Sequence, residues 1–335
     1  MVSRKKIKVS FVLGILNAER TLHKCLKSIL NQNYPKEKYE IIIVDGGSKD
    51  STLKISKAFA KNYKNIRILH NPGKLSEGRG MSKDIGVRSS RGEIVIFLDH
   101  DNIILNREWL NDILEPFTNK DIMASQSLLK SMKGDSNFLK YINEIGVEDP
   151  FAVPYSLTAQ ISLNKEKFEV FDNKYVIFQM TKDKNLFIGA NGCAFRKKTF
   201  DLIEGYIRDV DVSARMAEKE MLVAVPINTK IYHATSNDFL SFMIKKGIYF
   251  YRFINKEYSK KDFEWGKTGY PPSRIKFFIM VMLNLSIVYQ ITIIMPKFIA
   301  SGKIFWLLHP FYVFFVTIEY GLITLLRIKN FVKYV

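Results

Sequence analysis

The chain has 335 residues, enough for one large domain or two ordinary ones, of which 47% are apolar and 25% are charged. This balance excludes an intrinsically disordered chain, because it supplies enough apolar surface for a packed core. The 51 Lys and Arg outnumber the 33 Asp and Glu, and the formal net charge of +18 suits nucleic acid, an anionic membrane surface or a phosphorylated substrate.

The first hundred residues alternate between strand patterns and helix patterns. Apolar runs rich in β-branched residues predict strands over residues 7–15, 40–44, 65–70 and 93–98. Apolar residues at helical spacing predict helices over residues 20–31, 51–63 and 76–90. Because this alternation is typical of parallel strands joined by right-handed crossovers, we expect an α/β fold with a mostly parallel central sheet flanked by helices.

Polar clusters follow three of these strands, at residues 14–17, 45–48 and 99–101. Ligands of parallel sheets bind beyond the carboxyl ends of the strands. The sequence therefore predicts a functional site where these clusters meet.

The middle of the chain is less regular. Residues 130–146 favour a helix, and residues 148–184 mix aromatic residues, prolines and charges without a clear period. Later patterns predict a strand over 188–196, a helix over 209–219, short strands over 221–225 and 230–233, and a basic, aromatic helix over 237–254.

Two long apolar runs lie near the C-terminus. Residues 277–296 contain no charge, and residues 304–326 contain only Glu319. Each run is long enough to cross a bilayer, which takes about 20 residues. The short connector predicts a transmembrane hairpin with both outer flanks in the cytosol. Polar residues in the runs and Pro296 leave a re-entrant or in-plane helical pair open, and buried core helices are the alternative for a soluble protein.

A basic, aromatic segment at residues 245–276 precedes this hairpin. Such a composition suits lipid headgroups or RNA. The adjacent apolar runs favour the membrane, so we expect no nucleic-acid partner. No cleavable signal-peptide pattern opens the chain, so we expect a multi-pass membrane protein whose main domain is cytosolic.

Asp99 and Asp101 follow the fourth predicted strand. Two carboxylates at a strand end can bind Mg²⁺ or Mn²⁺, which also bind phosphate oxygens of a substrate. A solvated loop is the alternative when the pair is considered alone.

Asp45, Gly46 and Gly47 follow the second predicted strand. Paired glycines allow a ligand to approach the backbone, and Asp45 could accept a hydrogen bond from a base or a ribose. An ordinary turn into a helix capped by Asp50 is the alternative.

Asp209 and Asp211 open a predicted helix. A carboxylate beside an acceptor hydroxyl can act as a general base. Because the two side chains cannot share one helix face, one of them is the candidate base while the other caps the helix or pairs with a cation such as Arg215. His233 ends a predicted strand and is a candidate metal or phosphate ligand.

Taken in order, five segments resemble the family 2 glycosyltransferases of GT-A fold. These segments are residues 9–17, 29–35, 40–52, 91–101 and 209–216. The resemblance implies an inverting transfer from a UDP- or GDP-type sugar.

By position, the resemblance also implies roles for individual residues. Gly14, Ile15, Leu16, Asp45 and Gly46 would line the nucleotide site. Asp99 and Asp101 would serve the diphosphate and the metal, His233 would lie near the metal, and Asp209 or Asp211 would be the base.

Two departures from the family pattern matter. The usual Pro-Thr-Tyr after the first strand is replaced here by Gly14, Ile15 and Leu16, and the usual Glu-Asp pair by Arg208 and Asp209. No Gln-x-x-Arg-Trp motif follows, so the chain does not resemble a processive synthase.

Two kinds of acceptor fit the sequence. A C-terminal hairpin resembles that of polyprenyl-phosphate glycosyltransferases, whose acceptor phosphate needs little help from a base. The retained acidic pair instead favours a hydroxyl of a lipid-linked saccharide. A nucleotide-binding oxidoreductase is a rival class, but Gly14 stands alone where a Gly-x-Gly-x-x-Gly is needed. A membrane-tethered binding protein that has lost catalysis is the other rival.

The sequence thus predicts three regions. These are a glycosyltransferase domain at residues 1–240, a juxtamembrane segment at 241–274, and a hairpin with a short tail at 275–335.

Overall fold

The structure is a computed structural model, which describes residues 7–73, 75–146, 148–149, 158–161, 168–171, 173–182, 184–189, 191–235, 238–256 and 274–332. The described chain forms two compact units. The first unit contains the residues up to Lys130 together with Ala159–His233, and the second contains Ser131–Thr158 together with the residues from Ala234 onward.

The predicted alternation of strands and helices over the first hundred residues is present. The strands are β1 (Val9–Ile15), β2 (Tyr39–Asp45), β3 (Ile66–His70) and β4 (Ile94–Phe97), and the helices are α1 (Leu22–Leu30), α2 (Thr52–Asn62) and α3 (Ser82–Ser89). The helix predicted over residues 76–90 begins six residues late, because Gly78 and Gly80 adopt φ values of +123° and +71°. These values lie in the left-handed region, which a right-handed helix excludes.

The rest of the first unit adds short strands and helices. They are β5 (Asn102–Ile104), α4 (Trp109–Leu114), β6 (Ile122–Gln126), β7 (Leu128–Leu129), β8 (Glu169–Phe171), β9 (Tyr175–Gln179), β10 (Cys193–Arg196), α6 (Lys198–Leu202), α7 (Asp209–Glu218), β11 (Leu222–Pro226) and β12 (Lys230–His233). The second unit contains α5 (Asn137–Ile145), α8 (Phe239–Lys256), α9 (Arg274–Leu285), α10 (Ile287–Ser301) and α11 (His309–Val332).

Nine strands form the central sheet in the order β3-β2-β1-β4-β10-β6-β11-β9-β8. The first four strands are parallel, as predicted. β10 runs antiparallel to both of its neighbours, and β8 and β9 pair antiparallel as well. β6 and β11 pair parallel, so the expected parallel arrangement fails at β10 and β9, and the fold is mixed α/β.

Helices cover both faces of this sheet. Successive residues of a strand point to opposite faces, so Phe11 and Leu13 of β1 share one core cluster with residues of α1, whereas Val12 belongs to the cluster on the other face, beside Gly86 of α3. Alternating burial on two faces fixes the register, because a slip by one residue would exchange the two cores.

The second unit is helical and has its own aromatic core. Phe138 of α5 packs edge-on against Phe242 of α8 and Tyr312 of α11, with ring centroids 5.2 and 5.6 Å apart. The hydroxyl of Tyr141 lies 2.7 Å from His309 Nδ1. Burial of these rings ties α5 to the C-terminal helices of the same unit.

The two apolar runs adopt different structures. Within the described residues, one stretch, Ile304–Leu326, is long and apolar enough to cross a membrane. The other run is divided at Ser286 into helices that are bent by 75°. The predicted pair of spanning helices is therefore present only if this bent pair counts as one span. Half of the predicted juxtamembrane segment, from residue 257 to 273, lies outside the described residues.

Candidate active site

Parallel pairing brings three predicted polar clusters to one edge of the central sheet. Ile15 of β1 pairs with Asp45 of β2, and Val12 of β1 pairs with Phe97 of β4. The backbone N–H of Gly46 donates to the carbonyl of Ile15 over 2.8 Å. The chain segments that follow these strands therefore start side by side.

Asp45 is 3% exposed and shapes the turn that follows β2. Its carboxylate accepts hydrogen bonds from the backbone N–H groups of Gly47 and Ser48, at 2.9 and 3.1 Å, and from the Ser48 hydroxyl. An Asp whose carboxylate accepts from the backbone N–H two residues later forms an Asx-type turn. This turn fixes the backbone of residues 45–48 at the sheet edge.

The last residues of β1 and the residue that follows it offer little side-chain surface to a ligand. Ile15 is 2% exposed and belongs to the core, whereas Leu16 is 43% exposed. A Cβ on Gly14 would lie 2.8 Å from the Cβ of Ser82, so glycine allows β1 to approach α3. Of these three residues, Leu16 is the one whose side chain reaches solvent.

The loop after β4 is held from two sides. The His100 ring nitrogen Nδ1 lies 2.8 Å from the Thr21 hydroxyl, and the backbone N–H of Asp99 donates to Asn102 Oδ1 over 3.1 Å. The side chains of Asp99 and Asp101 are 30% and 15% exposed. These contacts fix the loop while both carboxylates stay partly open to solvent.

His233 lies beside Asp101 because of strand pairing. β12 runs antiparallel to β5 with His233 opposite Asn102, and this register leaves His233 Nε2 3.4 Å from Asp101 Oδ2. A carboxylate oxygen and an imidazole nitrogen at this separation suit a divalent cation. Among the described residues, no group of three or more His, Cys, Asp or Glu is arranged to hold a metal ion.

Lys83 joins the two acidic parts of the site. Its side chain is 2% exposed, and its Nζ lies 2.9 Å from Glu77 Oε1, 3.5 Å from Asp209 Oδ1 and 3.9 Å from Asp99 Oδ1. A buried charge is stable only when it is paired. Here the compensating carboxylates come from three separate segments of the chain.

The charges of this cluster depend on one another. Burial opposes the ammonium form, but the carboxylates of Asp209, Glu77 and Asp99 outweigh it and raise the pKa of Lys83 well above its usual value. Burial, assisted by Glu77, raises the pKa of Asp209 to about 8, although Lys83 acts in the opposite direction. Asp209 therefore titrates in a range where a carboxylate can exchange protons near neutral pH.

Two further contacts define the surroundings of Asp209. The Tyr206 hydroxyl donates a hydrogen bond to Asp209 Oδ1. Gly189 has a φ of +126°, and a Cβ there would lie 2.9 Å from Asp209 Oδ1. A larger residue at position 189 would press on the carboxylate, so glycine leaves it accessible.

The structure separates the two predicted acids of α7. Asp211 is fully buried, and its Oδ2 accepts a hydrogen bond from Arg208 Nε over 2.6 Å. Arg215, named from the sequence as one possible cation partner, lies near Glu204 at 3.8 Å and donates to the carbonyl of Ile203. Asp211 pairs with Arg208, the cation immediately before the helix.

Sequence reasoning missed four residues of this site: Glu77, Lys83, Tyr206 and Gly189. The spacing of Gly78 and Gly80 signals a loop and could have located Glu77 there. A lysine one residue into the following helix carries no local signal of burial, because its partners are distant in sequence.

Comparison with known proteins identifies a family. The family described as Glycosyl transferase family 2 matches residues 10–201, more than half of the chain. Glycosyltransferase AglE of Haloferax volcanii is 35% identical over 102 residues, which cover 30% of this chain and 33% of AglE.

A second relative is an enzyme of Methanococcus voltae. The dolichyl N-acetyl-alpha-D-glucosaminyl phosphate 3-beta-D-2,3-diacetamido-2,3-dideoxy-beta-D-glucuronosyltransferase of Methanococcus voltae is 45% identical over 65 residues, covering 19% of this chain and 20% of that enzyme. The chain thus matches a third or less of the length of these two relatives.

A solved structure extends the similarity of fold over nearly the whole chain. The mannosyltransferase PcManGT from Pyrobaculum calidifontis, in complex with GDP-Man and Mn²⁺, superposes with a TM-score of 0.57. The superposition covers 93% of this chain and 86% of PcManGT at 13% sequence identity. At this identity the similarity concerns the fold alone.

Proposed function

Because the chain belongs to glycosyl transferase family 2, we propose that it moves a sugar from a nucleotide-sugar donor to a hydroxyl of a lipid-linked saccharide at a membrane surface. The observation that carries this proposal is the Lys83 cluster. It links Asp99, on the side of the proposed donor diphosphate, with Asp209, the proposed base, through one ammonium group.

The donor side uses the carboxyl ends of β1, β2 and β4. In this proposal Asp45 and Gly46 present a fixed turn to the nucleoside, the backbone of Gly14 and Ile15 borders it, and Leu16 contacts the base. The proposed donor is of the UDP or GDP type, as the family resemblance implies. Since Leu16 has no aromatic ring, we expect apolar contact with the base in place of stacking.

Asp99, Asp101 and His233 are the residues that would hold Mg²⁺ or Mn²⁺. A divalent cation bound there would neutralise charge that builds on the departing diphosphate. The 3.4 Å approach of His233 Nε2 to Asp101 Oδ2 supports this assignment.

Asp209 is the proposed catalytic base. It takes the proton of the acceptor hydroxyl, the acceptor oxygen forms a bond to the anomeric carbon, and the bond from that carbon to the diphosphate oxygen breaks. The nucleoside diphosphate leaves with the electron pair, and attack from the opposite face inverts the anomeric centre. Asp211 is unsuited to this role because it is buried and paired with Arg208.

The presence of a proposed base, Asp209, favours a hydroxyl acceptor over a phosphate acceptor. A phosphate is ionised near neutral pH and needs no proton acceptor, whereas a sugar hydroxyl gains from one. A raised pKa of about 8 for Asp209 lets the carboxylate hold the proton it removes. The alternative is a polyprenyl-phosphate glycosyltransferase that makes a lipid-phosphate monosaccharide.

The second unit is the proposed membrane anchor, and the catalytic unit is proposed to be cytosolic. The stretch Ile304–Leu326 supports attachment by its length and composition. A multi-pass hairpin and an in-plane arrangement both remain compatible with attachment alone.

The test is donor turnover by detergent-solubilised protein with a panel of nucleotide sugars and a lipid extract. We expect a lipid-linked saccharide as product, identified by mass spectrometry, and loss of activity with EDTA or in Asp101→Ala. Equal activity with and without EDTA would reject the metal, and a polyprenyl-phosphate monosaccharide as the sole product would reject the hydroxyl acceptor. No turnover of any nucleotide sugar would reject the transferase itself.

A further inference from the structure

In the second unit, helices α8 and α11 each expose a stripe of apolar side chains. On α8 the stripe is Leu240, Ile244, Ile248 and Tyr251, and on α11 it is Phe311, Phe315, Ile318, Leu322 and Leu325. These side chains are between 37% and 69% exposed, and their spacing places each set on one helix face. Soluble monomers rarely expose contiguous apolar surface of this extent, so an apolar phase or a partner covers it.

The opposite face of α11 is covered by protein. Tyr312, Val313 and Val316 are fully buried, and the ring of Tyr312 packs against Phe138 of α5 and Phe242 of α8. Only one side of α11 is thus available to lipid along its first half.

α8 runs alongside α11 in the same direction. Phe239 packs against Phe315 with ring centroids 5.9 Å apart, and further along Phe250 stacks on Tyr320 at 4.0 Å. Between these contacts, Gly247 lies so close to the Glu319 side chain that a Cβ there would clash with Oε1. If α11 enters a membrane, α8 therefore enters it to the same depth.

A polar cluster marks the level at which this pair meets water. Glu148 Oε1 lies 3.2 Å from Lys245 Nζ and accepts a hydrogen bond from the Thr235 hydroxyl over 2.9 Å. Tyr312 donates its hydroxyl proton to the carbonyl of Glu148 over 2.8 Å. The cluster is partly solvent-exposed and belongs outside hydrocarbon.

A crossing orientation conflicts with the sequence of α8. If α11 ran from the level of Tyr312 into the bilayer, α8 would carry Arg252 and Lys256 into hydrocarbon with it, which is costly. Beyond Tyr320, α11 has 12 residues to its end at Val332, about 18 Å at 1.5 Å per residue. The hydrocarbon core is about 30 Å thick, so the part of α11 that extends past α8 is too short to cross.

The connector between α10 and α11 also lies at the polar side of the unit. Lys303 Nζ lies 2.7 Å from Glu144 Oε1 in α5. α5 has nine residues, about 13 Å in length, so it cannot cross a bilayer, and the exposed segment at residues 132–134 precedes it. The connector thus shares a side of the membrane with that segment, whereas a transmembrane hairpin needs it on the opposite side.

We propose that the second unit is monotopic: α8 and α11 lie in the plane of one leaflet, with their apolar stripes in the lipid and the α10–α11 connector on the same side as α5. The bent pair of helices α9 and α10 then enters the bilayer and leaves it again on the same side. The proposal rests on the membrane attachment included in the proposed function and is independent of the transfer chemistry.

The partner is the surface of an anionic bilayer. α8 contains Lys245, Lys246, Arg252 and Lys256 and no acid, and basic residues near a membrane favour anionic headgroups. An amphipathic helix with one apolar face and cations suits the headgroup boundary. A second copy of the chain would bring these cations together, so it is the less favourable cover.

The membrane topology is tested by adding one surface cysteine at a time and measuring its reaction with a thiol reagent. Cys25 and Cys193 are fully buried, so an added surface thiol dominates the reaction with a membrane-impermeant maleimide. Ser301→Cys reports the connector, and Lys133→Cys reports the exposed segment before α5. Labelling is compared between intact bacterial cells and inverted membrane vesicles.

The monotopic arrangement predicts that both variants react in the same preparation. Reaction of Ser301→Cys and Lys133→Cys in opposite preparations would establish a hairpin and overturn the proposal, while leaving the transferase intact. Protection of Ser301→Cys in both preparations until detergent is added would place the connector in hydrocarbon and overturn it as well.

Depth measurements give a second, independent readout. A fluorophore attached through Phe311→Cys or Leu322→Cys is quenched by lipids labelled at known depths in vesicles containing phosphatidylglycerol. The two sites are 11 residues apart, about 16 Å along the helix, so equal shallow depths support the proposal and depths differing by most of that length contradict it. A lipid-free dimer that does not bind these vesicles would overturn both the proposal and the membrane attachment, whatever the result of the donor assay.

Discussion

The ammonium of Lys83 lies 3.5 Å from the carboxylate of Asp209, inside a cluster that also contains Glu77 and Asp99. One cation therefore neutralises acids from a loop, a strand end and a helix start. Because its side chain is 2% exposed, water contributes little to balancing these charges. The position of the proposed base depends on this lysine.

Replacing Lys83 by methionine should remove activity through the position and charge of Asp209. We expect Lys83→Met to lower kcat/KM by about 100-fold, two tenfold steps of about 1.4 kcal/mol each. Removing one partner of a buried ion pair also costs about 3–5 kcal/mol of stability, so unfolding by denaturant is measured alongside the kinetics.

Comparing Lys83→Arg with Lys83→Met separates the effect of the charge at position 83 from the effect of side-chain shape. The guanidinium keeps the charge in a larger, planar group, so we expect a folded protein that retains more activity than Lys83→Met. Equal kcat/KM in Lys83→Met and the wild type would show that the cluster has no part in the reaction.

The two acids of α7 should give different kinetic and stability effects. Asp209→Asn removes the proposed base with little change in shape, and we expect a loss of about 10²–10⁴-fold in kcat with the fold retained. Asp211→Asn leaves Arg208 without its buried carboxylate, and we expect mainly a loss of stability of about 3–5 kcal/mol. Kinetics and denaturant titrations of both variants check this, and the reverse pattern would identify Asp211 as the base.

The pH dependence should follow the ionisation of Asp209. A general base acts in its deprotonated form, so a pKa raised to about 8 means that kcat/KM rises with pH and reaches its plateau above about 8. Kinetics between pH 6 and 9 measure this limb for the free enzyme. A plateau already reached at pH 6 would contradict a raised pKa for the base.

Tyr206→Phe should shift the rise of kcat/KM with pH to higher pH. The Tyr206 hydroxyl donates to the Asp209 carboxylate and so lowers its pKa; without this bond the pKa rises further. A hydrogen bond to a charged group contributes about 1.5–3 kcal/mol, so a shift of about one pH unit is expected. Tyr63→Phe, whose ring stacks on Phe59, is the control with an unchanged profile, and a Tyr206→Phe profile that matches the wild type would refute this coupling.

The first half of the fold is predictable because its information is local. β1 and β2 are mostly apolar runs that become fully buried strands, and α1 follows its apolar spacing. The direction of β10 was not predictable, because an apolar run specifies burial and not whether its neighbours pair parallel or antiparallel. β5 and β7 have three and two residues, too short to show a period.

The site is predictable where it follows strand ends and unpredictable where it depends on long-range pairing. Asp45 and Asp99 follow strands whose positions the sequence specifies. Lys83 is buried only because Glu77 and Asp209 reach it, and Asp209 is 126 residues away in sequence. His233 reaches Asp101 only through the register of β12 with β5, which no local pattern specifies.

Metal dependence should distinguish the two histidines of this region. His233 Nε2 lies 3.4 Å from Asp101 Oδ2, whereas His100 Nδ1 contacts the Thr21 hydroxyl. We expect His233→Gln to raise the Mn²⁺ concentration needed for half-maximal activity by about tenfold or more, a loss of about 1.4 kcal/mol in binding.

Metal titrations of chelator-treated protein measure this, with His100→Gln as the matched control in the same loop region. His100→Gln should keep the wild-type metal requirement, because its ring contacts Thr21 and not the Asp101 carboxylate. If His233→Gln and the wild type saturate at the same Mn²⁺ concentration, His233 is not a ligand. Its closeness to Asp101 would then serve only to hold the carboxylate in place.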